Sequence, residues 1–318
     1  MPIIESHNII KKFTKTKFNW RNFVIERDEK FAVNDLNISI EAGEFVGFLG
    51  PNGAGKTTFL KMLSGIIYPS SGQAKVLGYT PWERNHKLLS QIAIVMGQKN
   101  QLWWDLPAID SYNLLKEVYS IPDKTFKTNL DEMVLALDMK PLLVKRLRDM
   151  SLGERMKCEL AASFLHDPKV IFLDEPTIGL DVVSQHSIRN FLKKINLEKK
   201  CTMILTSHYM GDIEALCKRV IIIDKGEKIY DGGLSELKEQ YAPEKKIEIF
   251  LNSLEDKKKF AHIKADKKIV EGLGIIRPKK SEIGPIIKEV FDKFDIEKIS
   301  VTDSDTEEVI NRIFKSHR

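Results

Sequence analysis

The stretch Gly50-Pro51-Asn52-Gly53-Ala54-Gly55-Lys56-Thr57-Thr58 holds the residue types that a phosphate chain requires. It fits G-x-x-x-x-G-K-[ST], in which glycines leave bare backbone N–H groups and a helix N-terminus aimed at the anion. Lys56 supplies a point charge for β- and γ-phosphates, and the Thr57 hydroxyl is a natural ligand for the Mg²⁺ that bridges them. The chemistry implied is binding of a nucleoside triphosphate. A second set lies downstream, where the apolar run Val170-Ile171-Phe172-Leu173 ends in Asp174 and Glu175. Four apolar residues closed by two carboxylates describe a central parallel strand with acids at its carboxyl end, where ligands sit in open α/β sheets. Asp174 is placed to hold Mg²⁺ through its water shell, and Glu175 to orient or activate an attacking water. His208 follows the β-rich run Thr202–Ser207. A lone histidine is more often structural, but a strand end beside a phosphate site favours a role at the ligand.

These groups need alternating strands and helices to position them. Strands are expected at Pro2–Ile10, Phe31–Ile40, Glu44–Leu49, Gln73–Leu77 and Ile92–Met96, with a helix from Lys56 ended by Gly65. Thr14–Lys30, rich in Lys, Arg, Asn and aromatics and without clean periodicity, reads as an exposed loop or insertion. From Ile109 to about Leu147, apolar residues recur at helical spacing (Leu114, Leu115, Val118; Leu130, Val134, Leu137), an insert of helices within the alternating pattern. Helices are also expected at Met156–His166, Val182–Ile195 and Leu234–Tyr241, and the pattern breaks after that last one. The remainder alternates short strands with charged helices, a small α+β appendage. The expected organisation is an α/β domain over 1–241, with its helical part at about 105–165, and an accessory domain over 242–318. Trp103 and Trp104 stand in a polar loop, where they form either a partner surface or a local cap on the core.

The composition sets outer limits. A chain of 318 residues, 42% hydrophobic and 30% charged, affords a sizeable core in one large domain or two. No apolar stretch approaches the roughly 18–20 residues that cross a bilayer. Met1–Ile10 lacks the charged-then-apolar layout of a signal peptide, so a cytosolic location is expected. Cys158, Cys201 and Cys217 are widely separated and odd in number, which suits a reducing compartment. The net charge of +5 arises from basic residues scattered among acids, and charge alone gives no reason to expect nucleic acid.

In their order, the motifs resemble those of the ATP-binding subunits of ABC transporters, over roughly Ile3 to Gln240. Gly50–Thr58 is similar to Walker A, Gln98 to the Q-loop glutamine, Ser151-Leu152-Gly153-Glu154 to the signature and Val170–Glu175 to Walker B. Ile178-Gly179-Leu180-Asp181 is similar to the D-loop, and His208 to the switch histidine. The resemblance implies a P-loop NTPase fold, a mixed-sheet ABC ATPase cassette with a helical subdomain, followed here by the small α+β domain. It implies ATP and Mg²⁺, with Thr57, Asp174 and Gln98 at the metal and Glu175, His208 and Gln98 at the reacting phosphate. Phe13 would stack on adenine, with Phe31 as the alternative. The signature departs from LSGGQ but keeps Ser151 and Gly153. The family pattern pairs two such subunits, identical or different, head to tail. Each glycine loop then faces the partner's signature, with Asp181 near the dimer axis.

Gly97–Pro107, the Ser-Leu-Gly-Glu signature and Thr177–Val183 further resemble an exporter-type subgroup, that of multidrug or viologen exporters. That likeness implies separate permease subunits, docked near Gln98 to Pro107 at the cytoplasmic face of the membrane. Two other readings stand beside it. One is a soluble ABC ATPase acting on ribosomes or nucleic acid, against which the single glycine loop and the lack of a zinc module argue. The other is a nucleotide-dependent scaffold without hydrolysis, against which Glu175 and His208 together argue.

Overall fold

A computed structural model describes residues 2–19, 24–242, 244–251, 253–263, 265–270, 272–278, 282–294, 299–303 and 305–317. The chain falls into two compact units, Met1–Gly232 and Gly233–Arg318.

The first unit opens with β1 (Ile4–Asn19) and β2 (Val24–Ile40), which pair antiparallel from Ile4 opposite Ile40 out to Asn19 opposite Val24. Thr14–Lys30 is therefore largely a two-stranded ribbon and not a loop, with 20–23 outside the described residues. At its base Lys12, Phe13, Thr14, Glu29, Lys30 and Phe31 are all exposed. A ribbon base exposed on both faces has no reason to alternate apolar with polar, so it leaves no period-2 signal there.

β3 (Phe45–Leu49) runs into the glycine loop and α1 (Lys56–Leu63), and β4 (Ser71–Val76) returns to pair with β1. α2 (His86–Leu89) and β5 (Ile92–Met96) follow. The helical insert comprises α3 (Ala108–Val118), α4 (Asp123–Leu137) and α5 (Leu152–Phe164). α5 begins earlier than its apolar pattern suggests, because Ser151 and Glu154 form a capping box. The Ser151 hydroxyl accepts the Glu154 N–H at 3.2 Å, and the Glu154 carboxylate accepts the Ser151 N–H at 2.8 Å.

β6 (Val170–Asp174), α6 (Val182–Lys199), β7 (Thr202–Thr206), α7 (Met210–Leu216), β8 (Arg219–Asp224) and β9 (Glu227–Gly233) complete the sheet, in the order β5-β6-β7-β3-β8-β9. β5 through β8 are parallel. Strands covered on both faces require continuous apolar runs, and β3 and β7 are buried along their whole length. One core joins both sheets to α1. Phe48 and Phe59 stack there at 5.2 Å, among Leu60 and Leu63 of α1, Ile204 and Ile221 of the parallel sheet and Ile4, Leu36 and Val76 of the antiparallel one.

The second unit contains α8 (Leu234–Tyr241), β10 (Lys245–Phe250), α9 (Leu254–Ala261), β11 (Asp266–Val270), β12 (Leu273–Arg277), α10 (Ile283–Lys293), β13 (Ile299–Asp303) and α11 (Thr306–Ser316). The strands lie in the order β11-β12-β10-β13, each pair antiparallel, the β-α-β-β-α-β arrangement of ferredoxin-like domains. Ile247, Ile249, Phe260, Ile276 and Val290 form its core. α8, attached to the first unit when read from sequence, groups with this one. Arg312 of α11 reaches the Tyr241 carbonyl at 3.5 Å and the Glu244 carboxylate at 2.9 Å. The periodicity of a helix does not tell which neighbour its apolar stripe will join. β11 escapes detection because it is an edge strand rich in charge, Asp266-Lys267-Lys268, and mostly exposed. Among the described residues, no helix is long and apolar enough to cross a membrane.

Candidate nucleotide site

Parallel strands deliver their carboxyl ends to one edge of the sheet. β3 ends at the glycine loop, β5 is followed by Gln98, β6 ends at Asp174 and Glu175, and β7 is followed by His208. Residues scattered over much of the chain are thus brought together by topology alone.

The glycine loop closes one side of a cavity of about 390 Å³, lined by Asn52 to Thr58, Phe13, Lys30, Ala32 and Glu175. Gly55 precedes α1 with φ 108°, and a Cβ there would lie 2.0 Å from the Ala32 carbonyl oxygen. No residue with a side chain fits that position, because the loop is pressed against β2. Lys56 is 6% exposed, and its ammonium donates to the Gly50 carbonyl at 2.6 Å and the Pro51 carbonyl at 3.1 Å. Burial pushes its pKa down, while the charges of Glu175 and Asp174 oppose that shift.

Cross-strand register separates the two candidate aromatics. Phe13 lies opposite Lys30, and Phe31 opposite Lys12. Directly opposed residues share a face and successive residues alternate, so Phe13 and Phe31 point to opposite sides of the ribbon. Phe13 and Lys30 line the cavity, whereas Phe31 turns away and packs under the Lys12 ammonium at 4.6 Å.

At the acidic end, Asp174 Oδ1 accepts from the Thr57 hydroxyl at 3.1 Å and from the Thr206 hydroxyl at 2.7 Å. Glu175 holds a left-handed backbone, φ 56°, rare for a residue with a side chain and costing roughly 1–2 kcal/mol. Its N–H donates to the carbonyl of Thr206 at 3.0 Å and to its hydroxyl at 3.1 Å. Its carbonyl is backed by Gly97, where a Cβ would come within 2.0 Å. These contacts turn the carboxylate toward His208, whose Nε2 lies 2.9 Å from Glu175 Oε1. A second cavity, about 190 Å³, adjoins this edge and is lined by Thr57, Lys61, Gln98, Lys99, Asp174 and Glu175 among others. Its hard oxygen donors, a hydroxyl, an amide and a carboxylate around one small space, suit Mg²⁺, which takes few protein ligands and completes its shell with water and phosphate.

Ser151, Gly153 and Asp181 form a separate group. A Cβ on Gly153 would lie 2.3 Å from the Ser184 hydroxyl and 3.6 Å from Asp181 Oδ2. Asp181 caps α6, accepting from the Ser184 N–H at 2.9 Å and its hydroxyl at 2.7 Å. Those bonds hold its pKa down, the backbone N–H first. None of the three lines either cavity.

Sequence reading missed several participants. Thr206 sits in the strand it identified, as a hydroxyl at the end of an apolar run, and that position was the available signal. Asp212 is fully buried. It accepts from the Thr177 hydroxyl at 2.5 Å, the Ser207 hydroxyl at 2.6 Å and Arg189 Nε at 2.6 Å. Lys30 and Lys61 become visible only as cavity walls.

Comparison with known proteins agrees with this geometry. Residues 33–178 match the ABC transporter family. The ABC transporter ATP-binding protein NatA of Bacillus subtilis (strain 168) is 33% identical over 234 residues, 74% of this chain and 95% of that one. The linearmycin resistance ATP-binding protein LnrL of the same organism is 33% identical over 209 residues, 66% of this chain and 67% of that one. Among solved structures, cbiO1 from Clostridium perfringens, part of the ABC transporter complex cbiONQ, aligns with a TM-score of 0.61 at 25% identity. The alignment covers 74% of this chain and 90% of that one. A dimeric ATP-binding cassette in a post-hydrolysis state bound to ADP and Pi aligns with a TM-score of 0.62 at 22% identity, over 72% of this chain and 98% of that one. With a third of its residues identical across nearly the whole length of NatA, and with the cassette fold, the chain belongs to the ATP-binding proteins of ABC transporters, and it binds and hydrolyses ATP.

Proposed function

We propose that this chain is one of a pair of cassettes that close head to tail on two ATP molecules and drive export through a separate membrane permease. The observation that carries this reading is the division of the site. The glycine loop, Asp174, Glu175 and His208 share one edge, while Ser151, Gly153 and Asp181 cluster elsewhere in the same chain. A second copy, or a related subunit, would bring its Ser151 and Gly153 to the γ-phosphate held here.

Phosphoryl transfer to water needs positioning and charge stabilisation more than covalent chemistry. The loop N–H groups and Lys56 cradle the β- and γ-phosphates. Thr57, Asp174 and Gln98 are the residues to hold Mg²⁺, which supplies charge neutralisation on the phosphate oxygens. Glu175 holds the attacking water and accepts its proton, and His208 contacts the γ-phosphate while fixing the Glu175 carboxylate. Phe13 stacks on adenine at the open side of the cavity. Base–aromatic stacking is worth about 1–3 kcal/mol. Phe13→Ala is therefore expected to weaken ATP binding about 10-fold, and Phe31→Ala by less than about twofold. Equal weakening in an equilibrium ATP titration would remove Phe13 from this role.

The permease docks at Gln98 to Pro107, which places the protein at the cytoplasmic face of the membrane. Trp103, Trp104 and Leu106 are 46%, 44% and 43% exposed, so the indoles do not serve as a core cap, and large exposed aromatics are the residues that anchor interfaces. A groove of about 430 Å³, which Gln101 of the same loop lines together with Arg84, His86, Leu115, Val118 and Tyr119 among others, extends the surface. Export as the direction is supported by the name of a relative, the Nod factor export ATP-binding protein I of Ralstonia nicotianae. Nucleic acid is not expected as a partner. The test is capture of tagged protein from detergent-solubilised membranes. A polytopic permease should co-purify, and Trp103→Ala with Trp104→Ala should reduce its recovery about 10-fold or more. Unchanged recovery excludes docking at this loop, and ribosomal proteins in place of a permease would favour the soluble reading.

A further inference from the structure

α5 carries Ser151 at its cap and, two turns on, a carboxylate with no part in binding nucleotide. Glu159 is 3% exposed. Its Oε1 accepts the backbone N–H of Gln101 at 2.9 Å and of Leu102 at 3.2 Å, while Oε2 is buried without a partner. One turn back on the same helix, Arg155 lies over the Trp104 ring at 4.8 Å, and its Nε is also buried without a partner. Two side chains four residues apart on α5 thus grip the loop that leaves Gln98. Gln101 in turn donates its side-chain amide to the Ile94 carbonyl of β5 at 2.5 Å.

Packing alone does not account for an acid here. A buried carboxylate with one oxygen unsatisfied is costly, and an apolar side chain would fill the space more favourably. Burial pushes its pKa up to about 6, against the two N–H groups and the charge of Arg155. What an acceptor oxygen adds is stiffness: bonds to two consecutive N–H groups fix the position and direction of the loop, and the charge strengthens them without being their source.

We propose that Glu159 is a positioning residue for ATP turnover, tying the Gln98–Pro107 loop to the helix that begins at Ser151 so that loop and signature move as one body. A partner subunit that draws Ser151 toward its γ-phosphate then also shifts Gln98 and the Trp103–Trp104 surface. This rests on the roles proposed above for Gln98 and Ser151.

The experiment uses the full chain with Trp20→Phe and Trp82→Phe, which leaves Trp103 and Trp104 as emission reporters. ATP hydrolysis is titrated in this background and in its Glu159→Ala and Glu159→Gln derivatives. Glu159→Ala is expected to lower kcat about 10- to 100-fold with KM within about twofold, because misplacing a site-forming element costs rate and not affinity. It should also lose the ATP-induced change in tryptophan emission. Glu159→Gln presents an amide oxygen to the same two N–H groups and should recover kcat to within about threefold, together with the emission change. An equal fall in both variants, an effect on KM instead of kcat, or wild-type behaviour of Glu159→Ala each overturns the proposal. Should Glu159→Ala not fold, the recovery demanded of Glu159→Gln still decides. Glu175→Gln in the same background separates the two levels: if it hydrolyses ATP normally, the reading of the site has failed, and if it is inactive while Glu159→Ala is normal, only the tether has.

Discussion

Glu175→Gln retains ATP binding and loses hydrolysis by about 100- to 1000-fold, the usual cost of removing one well-aimed group from a preorganised site. The argument is one of geometry. Glutamine has the shape of glutamate, meets the same left-handed φ of 56°, and keeps its N–H on Thr206. Its side chain can still reach His208 across 2.9 Å. Fold and ATP affinity are accordingly untouched, and what disappears is a carboxylate able to accept a proton from water. The expected signature is a split, with Kd for ATP within about twofold and kcat collapsed. If dimer closure depends on bound triphosphate, the variant should also accumulate as an ATP-dependent dimer by sedimentation. Hydrolysis near the wild-type rate would move the base to another residue.

The parts of this site that could be read in advance are those written in consecutive residues. The glycine loop needs its glycines in a fixed local order, and β6 announces its acids because four apolar residues precede them. What stayed hidden depends on distant neighbours. Thr206 matters because topology puts β7 beside β6. The choice of Phe13 over Phe31 follows from a pairing register, and no single-strand pattern encodes which face of a ribbon meets a loop some forty residues on. The base of the β1–β2 extension failed for the opposite reason, since its exposed residues 12–14 and 29–31 leave no apolar rhythm. Glu159 looks like one more helical charge until its burial is seen.

Asp212 offers the strictest test of that hidden layer. It stands in α7, four residues past His208, and its partners lie 35 residues upstream at Thr177 and 23 upstream at Arg189. Thr177 lies two residues beyond Glu175, and Ser207 directly precedes His208. A single carboxylate therefore clamps the two strand ends that carry the paired Glu175 and His208. Asp212→Ala leaves two buried hydroxyls and a largely buried guanidinium with fewer acceptors, and breaking such a group destabilises by about 3–5 kcal/mol. All four tryptophans, Trp20, Trp82, Trp103 and Trp104, belong to the first unit, so a urea titration followed by their emission reads that unit by itself. Asp212→Asn should cost less. Its oxygen can accept from Arg189 while its amide donates to the Thr177 hydroxyl, which can turn to accept, but Ser207, which donates to Asp212 at 2.6 Å, is left with the more distant Tyr209 carbonyl at 3.4 Å as acceptor. One bond then remains hard to satisfy, worth about 1–3 kcal/mol. Because the clamp sets the distance between Glu175 and His208, both variants should lose kcat even in denaturant-free buffer where they remain folded, with Ala below Asn. A destabilised variant with unaltered kcat would show that the clamp supports the fold without aligning the pair.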